Sequence, residues 1–158
     1  MDVVSESRLS QVHPVLAARI RQLYSILLVD GTEIHVTQGL RTYAQQSQLY
    51  GQGRTSPGPI VTDAHAGYSM HNFGLAVDLD PFNAEIPDWN AADVHWQDML
   101  DKALTCKLAE GAKWRTFPDK PHFYPVEIPA DPDDNMRYLF SEGGLQAVWS
   151  EYALVSVP

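Results

Sequence analysis

Four residues with metal-binding or proton-transfer side chains stand out in this chain of 158 residues. His71 and Asp78 lie seven positions apart with small and apolar residues between them, and Asp119 precedes His122 by three positions. Two imidazoles and one carboxylate can hold a zinc ion with a fourth position left for water. The remaining carboxylate, on Asp119, can then act as the base. The pattern therefore predicts a metal-dependent hydrolase with His71, Asp78 and His122 as ligands.

The hydrophobic pattern predicts the elements that must position these side chains. Apolar residues at helical spacing from Leu9 to Leu27 predict an amphipathic helix. Pro14 falls inside this pattern, so the main helix is predicted to begin near His13-Pro14, because proline suits a first helical turn. The other predicted elements are a strand over 33–37, a helix over 43–50, an ordered loop over 51–67, a strand over 74–79, a loop over 81–89, a helix over 91–110, short strands over 114–117 and 122–124, and a last helix opened by 131–134 and running to 152. Strands interrupted by helices indicate an α+β domain.

These elements place the candidate ligands on different parts of the chain. Asp78 falls on a predicted strand, which gives its side chain a defined direction, and His71 falls in the loop just before it. His122 belongs to a different predicted strand. The three ligands therefore converge only in the folded protein, and metal binding should stabilise the fold.

Composition and charge narrow the function classes. The length favours a single domain, over residues 1–158, with no separate wall-binding domain. A net charge of −9 without a basic cluster argues against nucleic acid and against an anionic membrane surface. The N-terminus shows no signal sequence, so we expect the protein in the cytoplasm of the producing cell. The single cysteine, Cys106, is predicted to be an inert buried or half-buried thiol.

Two longer stretches resemble a known family of zinc peptidases. Ser69 to Asp78 reads SMHNFGLAVD and closely resembles the Ser-x-His-x-x-Gly-x-Ala-x-Asp signature of the LAS peptidases. Trp114 to Phe123 reads WRTFPDKPHF and resembles the family's second signature, in the form with Asp before the His. This form is similar to the L-alanyl-D-glutamate endopeptidase branch, which includes many bacteriophage endolysins, and residues 37–46 and 49–55 are similar to that branch as well.

The resemblance implies a fold, a cofactor and a role for each matching residue. It implies an α+β domain of the hedgehog and DD-peptidase type, with a small antiparallel sheet flanked by helices, and a monomer that hydrolyses peptidoglycan peptide stems with Zn²⁺. It also implies zinc ligands at His71, Asp78 and His122 and a catalytic base at Asp119. Arg41 matches the family's arginine and could stabilise the oxyanion, with a structural salt bridge as its alternative. Ser69 and Arg54 are predicted substrate-binding residues, each with a structural role as the alternative.

Other interpretations stay open at this point. A D-alanyl-D-alanine carboxypeptidase or dipeptidase would use the same zinc site, and a non-catalytic peptidoglycan-binding module would keep the fold and the metal. A calcium loop at Asp131, Asp133, Asn135 and Glu142 is disfavoured, because Asp131 as an N-cap followed by Pro132 explains the same residues. If a phage encodes the protein, we expect it to reach the cell wall with the help of a holin.

Overall fold

A computed structural model describes residues 1–83, 86–87, 93–112, 114–115 and 118–156. The helices are α1 (Val3–Leu9), α2 (Pro14–Val29), α3 (Tyr43–Gly51), α4 (Asp93–Ala103) and α5 (Asp134–Glu151). The strands are β1 (Ile34–Gln38), β2 (Val77–Asn83), β3 (Ile86–Pro87), β4 (Leu108–Gly111) and β5 (Asp119–Pro125). Two short 3₁₀ helices, Met70–Phe73 and Leu104–Cys106, complete the described elements. The predicted α+β class is confirmed.

An antiparallel sheet in the order β1-β2-β5-β4 forms the centre of the molecule, and β3 pairs with the end of β2. α2 lies across the core and buries the apolar residues that predicted it, including Leu16, Ile20, Leu23 and Leu27. Pro14 is its first residue, and the Nδ1 atom of His13 accepts a hydrogen bond from the Val15 amide at 3.1 Å. The predicted start of this helix is therefore confirmed. No helix in the described part of the chain is long and apolar enough to cross a bilayer.

The predicted helix over 91–110 is wrong at its C-terminal end. The observed helix stops at Ala103, a 3₁₀ turn follows, and Lys107 takes a left-handed conformation with φ of 55°. The chain then enters β4, which pairs with β5 and buries Leu108. Pairing with β5, the next strand along the chain, outweighs the local helical pattern here. Cys106 is buried, as predicted, and residues 91 and 92 lie outside the described part.

Four smaller predictions need correction. Asp133, rather than Asp131, is the N-cap of α5, because its side chain accepts a hydrogen bond from the Met136 amide at 2.7 Å. The strand predicted over 74–79 begins at Val77 and continues to Asn83, because pairing with β1 extends it. The strand predicted over 114–117 is not observed at Trp114, because β5 pairs on that side with β4 instead. Residues 116–117 of that predicted strand lie outside the described part. The predicted loop over 81–89 contains strand residues at both 81–83 and 86–87, and its other positions are not described.

A buried arginine ties three distant segments together. The Arg19 side chain is 1% exposed, and its Nη1 atom donates to the Lys107 carbonyl at 2.9 Å and to Glu127 Oε2 at 2.7 Å. Its Nη2 atom donates to the Val155 carbonyl. A buried guanidinium needs such partners, because its charge cannot be left unpaired away from water.

Glu127→Gln is expected to lower the free energy of unfolding by about 2 kcal/mol near neutral pH, because it removes a charge-assisted bond to Arg19. The hydrogen bond from Arg19 lowers the pKa of Glu127, despite the opposing effect of burial. The carboxylate therefore adds stability above its unfolded-state pKa, and this contribution disappears as the pH falls through the lowered folded-state pKa. Urea unfolding should show the difference between wild type and variant shrinking below about pH 4. A difference that is the same at all pH values would contradict this role.

Candidate metal centre and active-site cleft

The sheet register brings two of the predicted ligands together. Asp78 near the start of β2 and His122 in β5 are direct antiparallel partners. Side chains of directly opposed residues lie on the same face of a sheet, a few ångströms apart. His71 reaches them from the 3₁₀ helix, which ends at Gly74 in a left-handed conformation with φ of 63°. Glycine adopts this conformation without steric strain, so the chain can turn directly from His71 into β2.

The three predicted ligands form a group whose geometry fits a tetrahedral metal. His71 Nε2 lies 3.1 Å from Asp78 Oδ1 and 3.2 Å from His122 Nδ1, and the latter two atoms are 3.5 Å apart. Zinc with bonds of about 2.0–2.1 Å and tetrahedral angles separates its ligand atoms by roughly 3.3–3.4 Å. Within the described residues these three make up the group of acidic, histidine or cysteine side chains that could hold a metal ion. The donor set therefore fits zinc and leaves one coordination position for water.

Hydrogen bonding and burial prepare His71 for this role. Its Nδ1 atom donates to the Gly39 carbonyl at 2.9 Å, which leaves the Nε2 lone pair directed at the other two ligands. Burial lowers the pKa of His71, although Asp78 opposes the effect, so the ring stays neutral. Burial raises the pKa of Asp78, but the two histidines outweigh it and hold that pKa far below its usual range. Neutral imidazoles and an ionised carboxylate are the forms that bind a metal.

Asp119, the predicted base, begins β5 and lies close to the three ligands without belonging to their group. Burial first, and the charge of Asp78 second, raise its pKa, while His122, His71 and Arg41 act in the opposite direction. A carboxylate with a raised pKa takes up a proton more readily at neutral pH than an ordinary aspartate. Its position and its raised pKa suit a proton acceptor beside the metal rather than a fourth ligand.

Arg41 lies beside the metal ligands, where the sequence predicted it. Its Nη2 atom is 3.6 Å from Asp78 Oδ2, and its Nη1 atom donates to Gln46 Oε1 at 2.8 Å. The backbone is also held, since the Arg41 amide donates to the His71 carbonyl at 3.0 Å and the Arg41 carbonyl accepts from Asn72 Nδ2 at 2.8 Å. Arg41 therefore forms the ion pair with Asp78 that was the structural alternative, and it also lies among the residues around the metal ligands. Sequence reasoning missed Gln46 and Asn72, both buried polar residues.

Gly111 makes room for the segment that carries Asp119 and His122. The register between β4 and β5 is irregular at Glu110 and Gly111, so the Asp119–His122 segment bulges past the end of β4. A Cβ atom at Gly111 would lie 2.8 Å from the Asp119 carbonyl oxygen and 3.2 Å from His122 Cβ. The first distance is too short for a real contact, and the nearest atom belongs to the backbone, which cannot rotate away.

Gly111→Ala is therefore expected to displace this segment and to weaken zinc binding at least tenfold. Because Asp119 moves with the segment, kcat at saturating zinc should also fall about tenfold. Zinc titration with a competing chelator gives the metal affinity, and hydrolysis assays at saturating zinc give kcat. Zinc affinity equal to that of the wild type would contradict the packing role of Gly111.

A cleft of about 1090 Å³ opens over the metal ligands. Its lining includes Thr37, Gln38, Arg41, Tyr68, Ser69, Trp114, Arg115, Asp119 and Asp131, together with the three ligands. Ser69 thus lies where substrate contact is possible, and its carbonyl also accepts from the Asn72 amide at 2.9 Å. Thr37 has no Cα partner in the pairing of β1 with β2, so β1 bulges at this residue. Bulges beside a site often direct an additional side chain into it, and Thr37 lines the cleft.

Arg54 is not among the residues that line this cleft. Its guanidinium donates to the Tyr50 and Thr62 carbonyls at 2.8 and 3.0 Å, forms an ion pair with Asp63 at 2.8 Å, and lies 4.0 Å from the Tyr50 ring centre. These contacts brace the loop over 51–67, which was the alternative to substrate binding. The His65 ring also packs on Tyr50, at 3.8 Å between centroids.

The C-terminal helix supports the metal-binding turn from behind. Trp149 Nε1 donates to the Phe73 carbonyl at 2.7 Å, and its ring packs against Gly74. Phe140 contacts the Phe73 ring with centroids 5.4 Å apart. α5 bends between these two contacts, at Gly143 and Gly144, where the backbone leaves helical geometry. Trp149 is therefore a packing residue.

Residues 9–110 match the family described as VanY, D-alanyl-D-alanine carboxypeptidase. The chain belongs to this family. Among curated proteins, it is 31% identical over 121 residues to the peptidoglycan L-alanyl-D-glutamate endopeptidase CwlK of Bacillus subtilis (strain 168), with 72% of each chain covered. The chain is a peptidoglycan peptidase of the VanY family, as its resemblance to the LAS peptidases predicted.

Solved structures share the fold of this VanY family member. The L-Ala D-Glu endopeptidase ChiX of Serratia marcescens superposes with a TM-score of 0.58 at 24% identity, covering 79% of this chain and 88% of ChiX. A variant of the vancomycin-resistance D,D-pentapeptidase VanY in complex with Zn(II) superposes with a TM-score of 0.56 at 15% identity, covering 87% and 81%. The LD-carboxypeptidase LdcB gives 0.59 at 24% identity, covering 92% and 77%. The predicted hedgehog and DD-peptidase-like architecture is confirmed.

Proposed function

We propose that this VanY family member is a zinc endopeptidase that hydrolyses the bond between L-Ala and D-Glu in peptidoglycan stem peptides. The observation that carries the proposal is the His71–Asp78–His122 group, in which both histidines are buried, with Asp119 beside it in an Asp-x-x-His element. The similarity to CwlK, named as an enzyme for that bond, supports the same specificity. The 24% identity of ChiX adds support for the fold alone.

Each residue of the site then has a defined task. Zinc, when bound, polarises the scissile carbonyl and activates a water molecule. Asp119 accepts the proton of the attacking water and passes it to the nitrogen of D-Glu as the C–N bond breaks. Arg41 donates hydrogen bonds to the carbonyl oxygen as negative charge develops on it. The stem peptide lies along the cleft, where Ser69 is a candidate for contact with its backbone.

Digestion of purified peptidoglycan followed by mass spectrometry of the muropeptides tests the proposal. The expected products are muramyl-L-Ala and stems with a new N-terminal D-Glu. Protein treated with a chelator and then restored with zinc serves as the control for metal dependence. Wild-type protein that binds zinc but creates no new amino terminus would overturn the proposal and would favour a non-catalytic binding module.

A second candidate is a D-alanyl-D-alanine carboxypeptidase or dipeptidase, which the description of the matching family favours. The same digestion separates the two, because this activity releases terminal D-Ala and leaves the L-Ala–D-Glu bond intact. The proposal also includes bacteriolysis by an endolysin that acts as a monomer after release from the producing cell. That part rests on the resemblance of the sequence to endolysins of the endopeptidase branch.

A further inference from the structure

A buried amide connects the active-site arginine to the loop that borders the cleft. Gln46 lies on α3 and is 0% exposed. Its Oε1 atom accepts from Arg41 Nη1 at 2.8 Å, and its Nε2 atom donates to the Ala64 carbonyl at 2.8 Å. Both ends of the amide are therefore used, and its carbonyl oxygen accepts from the arginine that faces Asp78.

The bond to Gln46 and the contacts around it leave Arg41 little freedom. Its backbone is held by His71 and Asn72, and its Nη2 atom faces Asp78 at 3.6 Å. Without Gln46, the Nη1 atom would lack its partner, and the long side chain could rotate about its four torsions. A group that stabilises charge in a transition state contributes fully only when it is already oriented.

The chemistry of an amide suits this position better than a carboxylate. A glutamate at position 46 would pair with Arg41 as an ion and would reduce the positive potential available to a developing oxyanion. It would also place a second acceptor against the Ala64 carbonyl, which needs a donor. Glutamine accepts from Arg41 without cancelling its charge and satisfies Ala64 at the same time.

We propose that Gln46 is the positioning residue for Arg41, and that it transmits the conformation of the loop segment at Ala64 to the oxyanion-binding group. The inference rests on the proposed function, because it requires Arg41 to act on the reacting carbonyl. It assigns no substrate contact to Gln46, which is fully buried.

A double-mutant cycle tests the proposal, with Gln46→Met, Arg41→Ala and the combination, assayed on an isolated stem peptide by mass spectrometry. Gln46→Met is expected to lower kcat about 10- to 100-fold with less than a threefold change in KM, and to leave one zinc bound per chain. In the Arg41→Ala background the same substitution should change kcat less than about twofold, because its target is gone. Gln48→Met, on the exposed side of the same helix, is the matched control and should behave as wild type.

Each other result has a separate meaning. An equal loss of kcat from Gln46→Met with and without Arg41 would overturn the positioning role, as would a loss confined to KM or zinc content. If Gln46→Met does not fold, Gln46→Leu enters the same cycle, and its effect must likewise disappear with Arg41. Wild-type kcat in Arg41→Ala would refute the proposed role of Arg41 itself, and absence of any L-Ala–D-Glu cleavage by the wild type would refute the proposed function.

Discussion

Asp119→Asn is expected to lower kcat about 10³-fold and to leave one zinc ion bound per chain. Asparagine has nearly the same shape, but it cannot accept the proton of the attacking water. Asp119 lies outside the group of three side chains that fits a metal, so its loss removes no ligand. Burial and the charge of Asp78 raise its pKa, which is the property that a base working near neutral pH requires.

The control for this variant is Asp131→Asn, which makes the same substitution at an exposed carboxylate of the same cleft. It should retain kcat within about threefold, since solvent-exposed charges have weak effects at a distance. Zinc content by atomic emission and kcat on muropeptides are measured for both variants. Full activity in Asp119→Asn would exclude Asp119 as the base, and loss of zinc would make it a ligand instead.

His122→Ala is expected to abolish both stoichiometric zinc binding and hydrolysis. Two ligands remain in the variant, and a hydrolytic zinc site needs three protein ligands. The same loss should appear in stability, because zinc at a hundredfold excess over its Kd stabilises a folded protein by about 2.7 kcal/mol. For a chain of this size, that corresponds to a rise in Tm of roughly 5–10 °C for the wild type. The variant should show no such rise.

His95→Ala is the matched control, since His95 is exposed and hydrogen-bonds to Thr32 at 3.2 Å, away from the metal ligands. Calorimetry with and without added zinc measures the stabilisation, and competition with a chelator measures the stoichiometry. A zinc-dependent rise in Tm that survives in His122→Ala would show that His122 is not a ligand.

The sequence could identify the metal ligands because their residue types and spacing are set by chemistry. His71, Asp78 and His122 converge as the two signatures predicted. The sequence could not predict how these residues are brought together, because the pairing of Asp78 with His122 depends on the register of the sheet. Two strands separated along the chain carry no local sign of their partners.

The residues that hold the site in place were the hardest to predict. Gln46 follows the capping-box residue Gln45, so its position suggests only a helix start, and its burial depends on tertiary packing. Gly111 left no signal of its own, since its φ is not in the left-handed region and its need for space comes from the Asp119 carbonyl. β4 was also missed, because the local pattern favoured a helix there and only the pairing with β5 makes this segment a strand.

The convergence of His71 and His122 on one metal site connects two parts of the chain that are far apart in sequence. A metal held by His71 and His122 closes a loop between two residues that are 51 positions apart. A disulfide restricts the unfolded chain, whereas zinc binds only where the ligands have converged and so stabilises the folded state. With a single cysteine, the chain can form no intrachain disulfide. Zinc, when bound, would therefore join β5 to the turn before β2, and the ion needed for hydrolysis would also stabilise the folded sheet.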